Sequence, residues 1–311
     1  MTDKPHFERV ALIGIGLIGS SLARLLQRDK LADHIAACAR TAETRTKALE
    51  LGIVDSVTAD PAEATRGADL VVLCTPLGTF VDIATAIASA LRADTIVTDV
   101  GSVKSAVLRD LTSILPVGTH IVPAHPVAGT EHSGPESGFA KLFEGRWCIL
   151  TPPADADLAA VEIVAGLWRA AGSRIEIMDA EYHDSVLAIT SHLPHLIAYS
   201  MVGTAIDLEA VAESEVIKYS AGGFGDFTRV AASDPVMWRD VFLSNREAVL
   251  EMLTIFNEDL AKLQRAIRQG DGRTLQELLG TSVYSEVSKK AQTLGVDLAL
   301  VDNSEPWFAA L

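Results

Sequence analysis

Short apolar runs alternate with amphipathic stretches through more than half of the chain. Val10–Ile13, Ile35–Cys38, Leu70–Cys74, Ile96–Thr98, Ile121–Pro123 and Cys148–Leu150 are brief and rich in Val and Ile. Runs of that kind read as fully buried parallel strands, and a last strand is expected at Arg174–Ile177. Between them, Ser20–Arg28, Ala42–Leu51, Phe80–Leu91, Val103–Leu115 and Leu158–Ala171 carry helical periodicity. Strand, helix, strand at this spacing predicts a doubly wound α/β sheet.

The strand signals stop after Asp179. Asp184–Ile206, Leu208–Ala212, Met237–Arg268, Thr274–Leu279 and Val283–Leu294 read as helices, interrupted at Gly222–Gly225 and Gly270–Gly272. The expected division is residues 1–178 as a dinucleotide-binding domain and 179–311 as an all-helical domain for substrate and dimerisation. Val186–Ile206 holds no formal charge and is nominally long enough to cross a bilayer. Thr190, Ser191, His192, Pro194 and His195 in its middle argue instead for a buried central helix of a soluble domain.

Gly14-Ile15-Gly16-Leu17-Ile18-Gly19 matches G-x-G-x-x-G between the first strand and the first helix. Gly14 allows a tight turn and Gly16 lets the backbone approach a pyrophosphate. Gly19 lets the helix pack close, while Leu17 and Ile18 begin the helix whose N–H groups face the anion. This context predicts a Rossmann-type site. An NAD site usually carries an acid at the end of the second strand. Here Ala39-Arg40-Thr41 stands there, with no acid before Glu43. Arg40, helped by Thr41 and Arg45, is suited to a 2′-phosphate, so NADP is favoured over NAD. The other reading is an Arg stacked on adenine in an enzyme that accepts NAD.

Composition narrows the partners. The formal net charge is −15, from 26 Lys+Arg against 41 Asp+Glu, which disfavours nucleic acid. Cys38, Cys74 and Cys148 form no CxxC pair and read as buried thiols of a cytoplasmic protein. Neither a membrane segment nor a metal site is expected.

Candidate chemistry gathers where strands end. Cys74-Thr75-Pro76 closes one strand and Asp99-Val100-Gly101-Ser102 another, with an N-cap as the plain alternative for Ser102. His125 follows the Ile121–Pro123 run and is a candidate general base for a hydroxyl being oxidised. Motif support is lacking for His6, His34, His120, His132 and His183, and His192 reads as a packed histidine.

Taken with Gly14–Gly19, the segments Gly101-Ser102-Val103-Lys104, His125-Pro126-Val127-Ala128-Gly129-Thr130-Glu131, Ser191-His192-Leu193-Pro194-His195 and Arg229-Val230-Ala231-Ala232-Ser233 occur in an informative order. Together they resemble the prephenate (cyclohexadienyl or arogenate) dehydrogenases of tyrosine biosynthesis. The resemblance implies His125 as the catalytic histidine and Ser102 as its partner at the substrate's ring hydroxyl. It further implies Ser191 and His195 at the substrate side chain and Arg229 on a substrate carboxylate. Trp238 lies nearby, and Glu131 sits at the entrance. It implies a homodimer acting on prephenate or arogenate with NADP or NAD. The Arg40 position departs from the acid common in NAD-using members. β-Hydroxyacid or 6-phosphogluconate-type dehydrogenases share this layout but usually rely on a Lys in the long helix, and Ser185–Ile206 has none. A non-catalytic NADP sensor would not need Ser102, His125, His195 and Arg229 together.

Overall fold

The computed structural model describes residues 4–130, 132–212 and 222–280. The order is β1 (Phe7–Ile13), α1 (Leu17–Arg28), β2 (Ala32–Cys38), α2 (Ala42–Glu50), β3 (Ser56–Thr58), α3 (Pro61–Thr65) and β4 (Leu70–Leu73). A one-turn 3₁₀ segment, Leu77–Thr79, leads into α4 (Phe80–Ile87). Then come β5 (Ile96–Asp99), α5 (Ser105–Ile114), β6 (His120–Ile121), β7 (Ala124–Pro126), β8 (Trp147–Leu150), α6 (Leu158–Ala170) and β9 (Arg174–Ile177). The helical part comprises α7 (Ala180–Leu187), a π-helical turn at Ala188–His192, α8 (Leu193–Ala212), α9 (Gly222–Ala231), α10 (Pro235–Ser244), α11 (Arg246–Gln269) and α12 (Gly272–Gly280).

The main sheet is parallel throughout, in the order β3-β2-β1-β4-β5-β6. Strand pleating divides its side chains between two cores. Val10, Leu12, Ile35 and Val72 pack on one face with Leu22 of α1 and Trp168 of α6. Ala11, Ile13, Val71 and Leu73 pack on the other with Phe80 of α4 and Leu111 of α5. Burial on both faces is why these strands read as unbroken apolar runs. The chain reverses direction across the sheet between β1 and β4, and the carboxyl edge at that point is where such folds bind ligands.

Several sequence expectations need correction. The Ile121–Pro123 and Cys148–Leu150 runs do not join one parallel sheet. The first splits into β6 and β7, and β7 pairs antiparallel with β8 in a separate sheet ordered β7-β8-β9. The turn between β6 and β7 spans only Val122 and Pro123, so β7 starts beside the carboxyl end of β5. Strand β3 and helix α3 are too short to leave a periodic signal.

In the helical part, Gly222–Gly225 is not an interruption but the first turn of α9. The Met237–Arg268 stretch is two helices, broken at Asn245, whose backbone leaves the helical region at φ −107° and ψ 36°. Asp184–Ile206 is not continuous either, because the π-helical turn inserts an extra residue at Ala188–His192. The apolar span covers its length but is only partly buried: Leu187, Ala188 and Leu193 are enclosed, whereas Met201 and Ile206 are exposed. The span Ala180–Leu208 is long and apolar enough to cross a membrane by length and composition. Its centre, however, carries His192 and His195 in a packed polar network described below. The expected Val283–Leu294 helix lies outside the described residues.

Candidate active site

The glycine turn behaves as its spacing predicts. Gly14 has φ +105°, and a Cβ there would lie 2.7 Å from the Cys74 carbonyl oxygen. A Cβ on Gly19 would collide with the Gly14 carbonyl, so α1 rests directly on the turn. Around Gly16 there is open space, with nothing within 4 Å of an added Cβ. These residues fit a pyrophosphate: a bare backbone approach beside the N-terminus of α1, where Leu17, Ile18 and Gly19 present their N–H groups. Across the turn, the Thr79 hydroxyl donates to the Pro76 carbonyl at 2.7 Å and lies 2.8 Å from the Thr75 hydroxyl, whose proton it can accept, which stiffens this lip of the crevice.

Arg40 is exposed at the end of β2. Thr41 caps α2, its hydroxyl accepting from the Thr44 N–H at 3.2 Å. The Arg45 guanidinium donates to the carbonyls of Ala39 and Arg40, both at 2.8 Å. Thr41 and Arg45 thus shape the loop that presents Arg40.

His125 is held from two sides. Below it, Asp99 and Lys104 form a fully buried ion pair. Asp99 also accepts from the Ala124 N–H at 3.2 Å, and Lys104 donates to the Ala124 carbonyl at 2.7 Å. The pair therefore grips both ends of the residue that precedes His125. Burial pushes the Asp99 carboxyl up and the Lys104 ammonium down, while their mutual attraction opposes both shifts.

Behind His125 stands His183. The two rings meet edge to face, with His125 Nδ1 2.9 Å from His183 Nε2. His183 Nδ1 in turn lies 2.8 Å from Asp184 Oδ1. Burial tends to raise the Asp184 carboxyl, but hydrogen bonds from His183 and from the Lys104 and Ser105 amides outweigh it and hold the group below its usual range. An ionised carboxylate only accepts, so His183 Nδ1 carries the proton and donates. Burial keeps His183 neutral, so its Nε2 is an acceptor. His125 Nδ1 must then donate to it. Burial, together with the nearby His183 and Lys104, lowers His125 well below its ordinary value. His125 is thus neutral, with the unprotonated lone pair on Nε2. Sequence reading missed this relay because His183 and Asp184 belong to no recognisable motif and sit 58 and 59 residues from His125.

Asp184 has a second task. Its two oxygens accept the N–H groups of Lys104 and Ser105 at 2.8 and 2.9 Å, so it caps α5 from another part of the chain. That replaces the N-cap reading of Ser102: α5 begins at Ser105, and Ser102 lies half-buried in the preceding loop with its hydroxyl uncommitted to the helix.

The helical part supplies the opposite wall. His195 donates through Nδ1 to the Ser191 carbonyl at 2.9 Å, and its ring stacks on Trp238 at 3.7 Å between centroids. Its Nε2 is therefore the unprotonated nitrogen. Arg229 is placed by α9 rather than by a glycine loop, near enough for its charge to contribute to lowering His195, chiefly a burial effect. Asp240 on α10 accepts the Gly78 N–H at 3.2 Å, tying this wall to the turn after β4. Glu131 lies outside the described residues. Of the remaining tryptophans, Trp168 is buried against Phe143, and Trp147 is exposed with the Arg174 guanidinium 5.8 Å from its ring centroid. Trp307 lies outside the described residues. Burial pushes the Cys38 thiol up to about 11, and Cys74 and Cys148 are raised by the same cause. Among the described residues, no three His, Cys, Asp or Glu side chains form a metal-binding group.

A neutral imidazole with its lone pair on Nε2, on a strand that starts beside the carboxyl end of β5 in a sheet with a glycine-lined nucleotide turn, is a donor set suited to a nucleotide-dependent oxidoreductase. Comparison with known proteins makes the class specific. Residues 22–177 match the nucleotide-binding domain of prephenate dehydrogenase and residues 179–281 match its dimerization domain. The chain is 45% identical over 285 residues to the cyclohexadienyl dehydrogenase of Zymomonas mobilis, covering 91% of this chain and 97% of that protein. It is 32% identical to the prephenate dehydrogenase of Bacillus subtilis, covering 86% of this chain and 72% of that protein. The crystal structure of prephenate dehydrogenase from A. aeolicus in complex with hydroxyphenyl propionate and NAD+ superposes with a TM-score of 0.85 at 37% identity, covering 94% of this chain and 100% of that one. The chain belongs to the prephenate dehydrogenase family.

The buried histidines make stability pH-dependent. Free histidine titrates near 6.5, and burial lowers His192 and His195 to about 4, with His125 and His183 also depressed. Above pH 6.5 neither the folded nor the unfolded chain protonates them. Below it the unfolded chain takes up protons that the folded chain refuses. Stability is therefore complete above pH 6.5 and is lost as the pH falls toward 4. His192 and His195 should each cost roughly 2–3 kcal/mol by pH 4. Thermal unfolding followed by circular dichroism should show Tm dropping steeply between pH 6.5 and 5. A Tm unchanged from pH 7.5 to 5 would contradict neutral burial.

Proposed function

We propose that this chain catalyses the oxidative decarboxylation of prephenate, arogenate or both, with His125 as the general base. The reaction class is that of the cyclohexadienyl dehydrogenases and is a step of tyrosine biosynthesis. The observation that carries the assignment of His125 is the order of protons along Asp184, His183 and His125, which leaves Nε2 of His125 as an acceptor. The products are 4-hydroxyphenylpyruvate from prephenate and tyrosine from arogenate.

The substrate presents a ring hydroxyl at one end and a ring carboxylate at the other. His125 Nε2 receives the hydroxyl proton, and Ser102 orients that hydroxyl. The new imidazolium is stabilised through His183 by the Asp184 carboxylate. A bound nicotinamide supplies the acceptor for the hydride that leaves the hydroxyl-bearing carbon. The ring carboxylate departs as CO₂, its bonding pair entering the ring, and aromatisation drives the step without a metal. His195 and Ser191 face the substrate side chain, with Trp238 as the surface on which His195 is stacked. Arg229 clamps a substrate carboxylate and Glu131 stands at the entrance. Gly14, Gly16, Leu17, Ile18 and Gly19, with Thr75 and Pro76, hold the dinucleotide. Arg40 with Thr41 and Arg45 selects NADP over NAD.

The division at residues 1–178 and 179–311 follows the switch from strands to helices. A homodimer through the helical domain is supported by unpaired apolar side chains along α11, where Leu250, Ile255, Leu260 and Ile267 are all exposed in the single chain. A cytoplasmic setting agrees with the three free cysteines.

Initial rates with both substrates and both cofactors test the reading directly. His125→Asn should reduce kcat by about 10²–10⁴, the usual loss with a general base, while the cofactor Kd stays unchanged. Retention of a tenth of the kcat removes His125 from the chemistry. Arg40→Ala should weaken NADP binding by about 1.5–3 kcal/mol and leave NAD nearly untouched, read by titrating cofactor fluorescence. Equal small effects on both cofactors mean that Arg40 only stacks on adenine. Arg229→Gln should raise the KM for prephenate about thirtyfold, from roughly 2 kcal/mol of lost ion pairing, with a much smaller change in kcat. An unchanged KM in the folded variant assigns Arg229 to the scaffold.

A further inference from the structure

Asn245 stands at the break between α10 and α11, outside every motif segment of the sequence. It is buried, and its side-chain amide meets two partners. Nδ2 donates to the backbone carbonyl of Asp184 at 2.8 Å and lies 3.1 Å from Nδ1 of His192. A carbonyl can only accept, so the first contact fixes which end of the amide is nitrogen. The same NH₂ then points its second hydrogen at His192 Nδ1, which must accept. His192 is buried and neutral, pushed down to about 4. Its proton is therefore on Nε2. That nitrogen is buried without a hydrogen-bond partner, and the Ser102 backbone lies close enough to the ring to oppose slightly the lowering of His192. One amide thus stands behind both sides of the chemistry. Through Asp184 it steadies the relay behind His125, and through His192 it orients an N–H donor toward the loop that carries Ser102.

We propose that Asn245 is a positioning residue for the dehydrogenase reaction, holding Asp184 and His192 in register so that His125 and Ser102 address the same substrate hydroxyl. The cost of burial supports this. A junction between two helices needs only a residue that leaves the helical region, and an exposed Gly or Asn would serve. Here the amide is instead buried and commits both hydrogens, one to the carbonyl of Asp184, which reaches His125 through His183, and one to His192. His192 also meets Trp238 edge to face with 6.0 Å between centroids, so the same unit borders the wall on which His195 is stacked.

The proposal rests on the function argued above, and wild-type turnover of prephenate is the control that tests that function separately. Asn245→Ala should lower kcat at least tenfold while the KM for prephenate and the cofactor Kd change by less than about threefold. A double-mutant cycle on kcat with His192→Leu should be strongly sub-additive, because the two substitutions break one connection. Additive effects, or a kcat within twofold of wild type in Asn245→Ala, overturn the proposal. Should Asn245→Ala fail to fold, the intact protein decides through the ¹⁵N resonances of its imidazoles. His192 must be neutral, protonated at Nε2 and bare at Nδ1 between pH 6 and 8, and its Nδ1 must show a hydrogen-bond coupling to the Asn245 amide. A His192 protonated at Nδ1, or cationic in that range, overturns the proposal even with a fully active enzyme.

Discussion

The Asp184 carboxylate is the contact on which the rest depends. It accepts the first N–H groups of α5 and the ring N–H of His183, while the backbone carbonyl of the same residue accepts from Asn245. A helix start in the sheet domain, a histidine relay and a helix junction thus converge on one residue. The charge fits each use. The N-terminus of α5 carries partial positive charge and unpaired donors, which favour an anion there. That stabilised anion dictates where each proton along the relay must sit. Removing it would leave two buried amides and a buried ring N–H without acceptors, each costing roughly 1–3 kcal/mol.

A second constraint explains why the site is so deeply polar and yet mostly uncharged. Lys104 and Asp99 are the only ion pair described with both side chains fully buried, and they lie directly beneath His125. Burying such a pair gains little net stability, because desolvation offsets the attraction. Its return is geometric: Lys104 and Asp99 bind the carbonyl and amide of Ala124 and so set the height of His125 above the sheet. Lys104 also discourages a proton on either histidine nearby. The same residue therefore places the base and keeps it basic-side-up without charging it. A protein with this arrangement sacrifices acid stability for a base that is ready at neutral pH.

How much of this was legible in the sequence follows from how each feature is encoded. Strands buried on both faces are apolar runs, and the glycine turn needs residues without side chains, so both announce themselves locally. Short elements such as β3 and α3 lack the length to show a period. Antiparallel pairing of β7 with β8 is decided by where the chain re-enters the sheet, which no local run contains. The break at Asn245 was invisible because Asn interrupts the apolar period no more than any polar surface residue does. His125, Ser102, His195 and Arg229 stand out through their neighbours in recognisable segments. His183, Asp184 and Asn245 act through partners as much as 80 residues away, and spacing in sequence carries no trace of such contacts.

The charge balance finally makes sense of where the cations are. A chain with a formal charge of −15 should repel a dianionic substrate and a pyrophosphate at long range. At physiological ionic strength, however, exposed charges are screened beyond about 8 Å, so the global excess matters little once a ligand enters the crevice. Inside it the field is set locally, by the N–H groups of α1, by the fully buried Lys104 ammonium, and by the half-buried Arg229 on α9, whose charge reaches His195. Acidic caps use up part of the negative charge productively elsewhere, with Asp157, Asp179 and Asp234 each receiving the amides of a helix start. Attraction for an anionic ligand in this crevice is thus local and short-ranged.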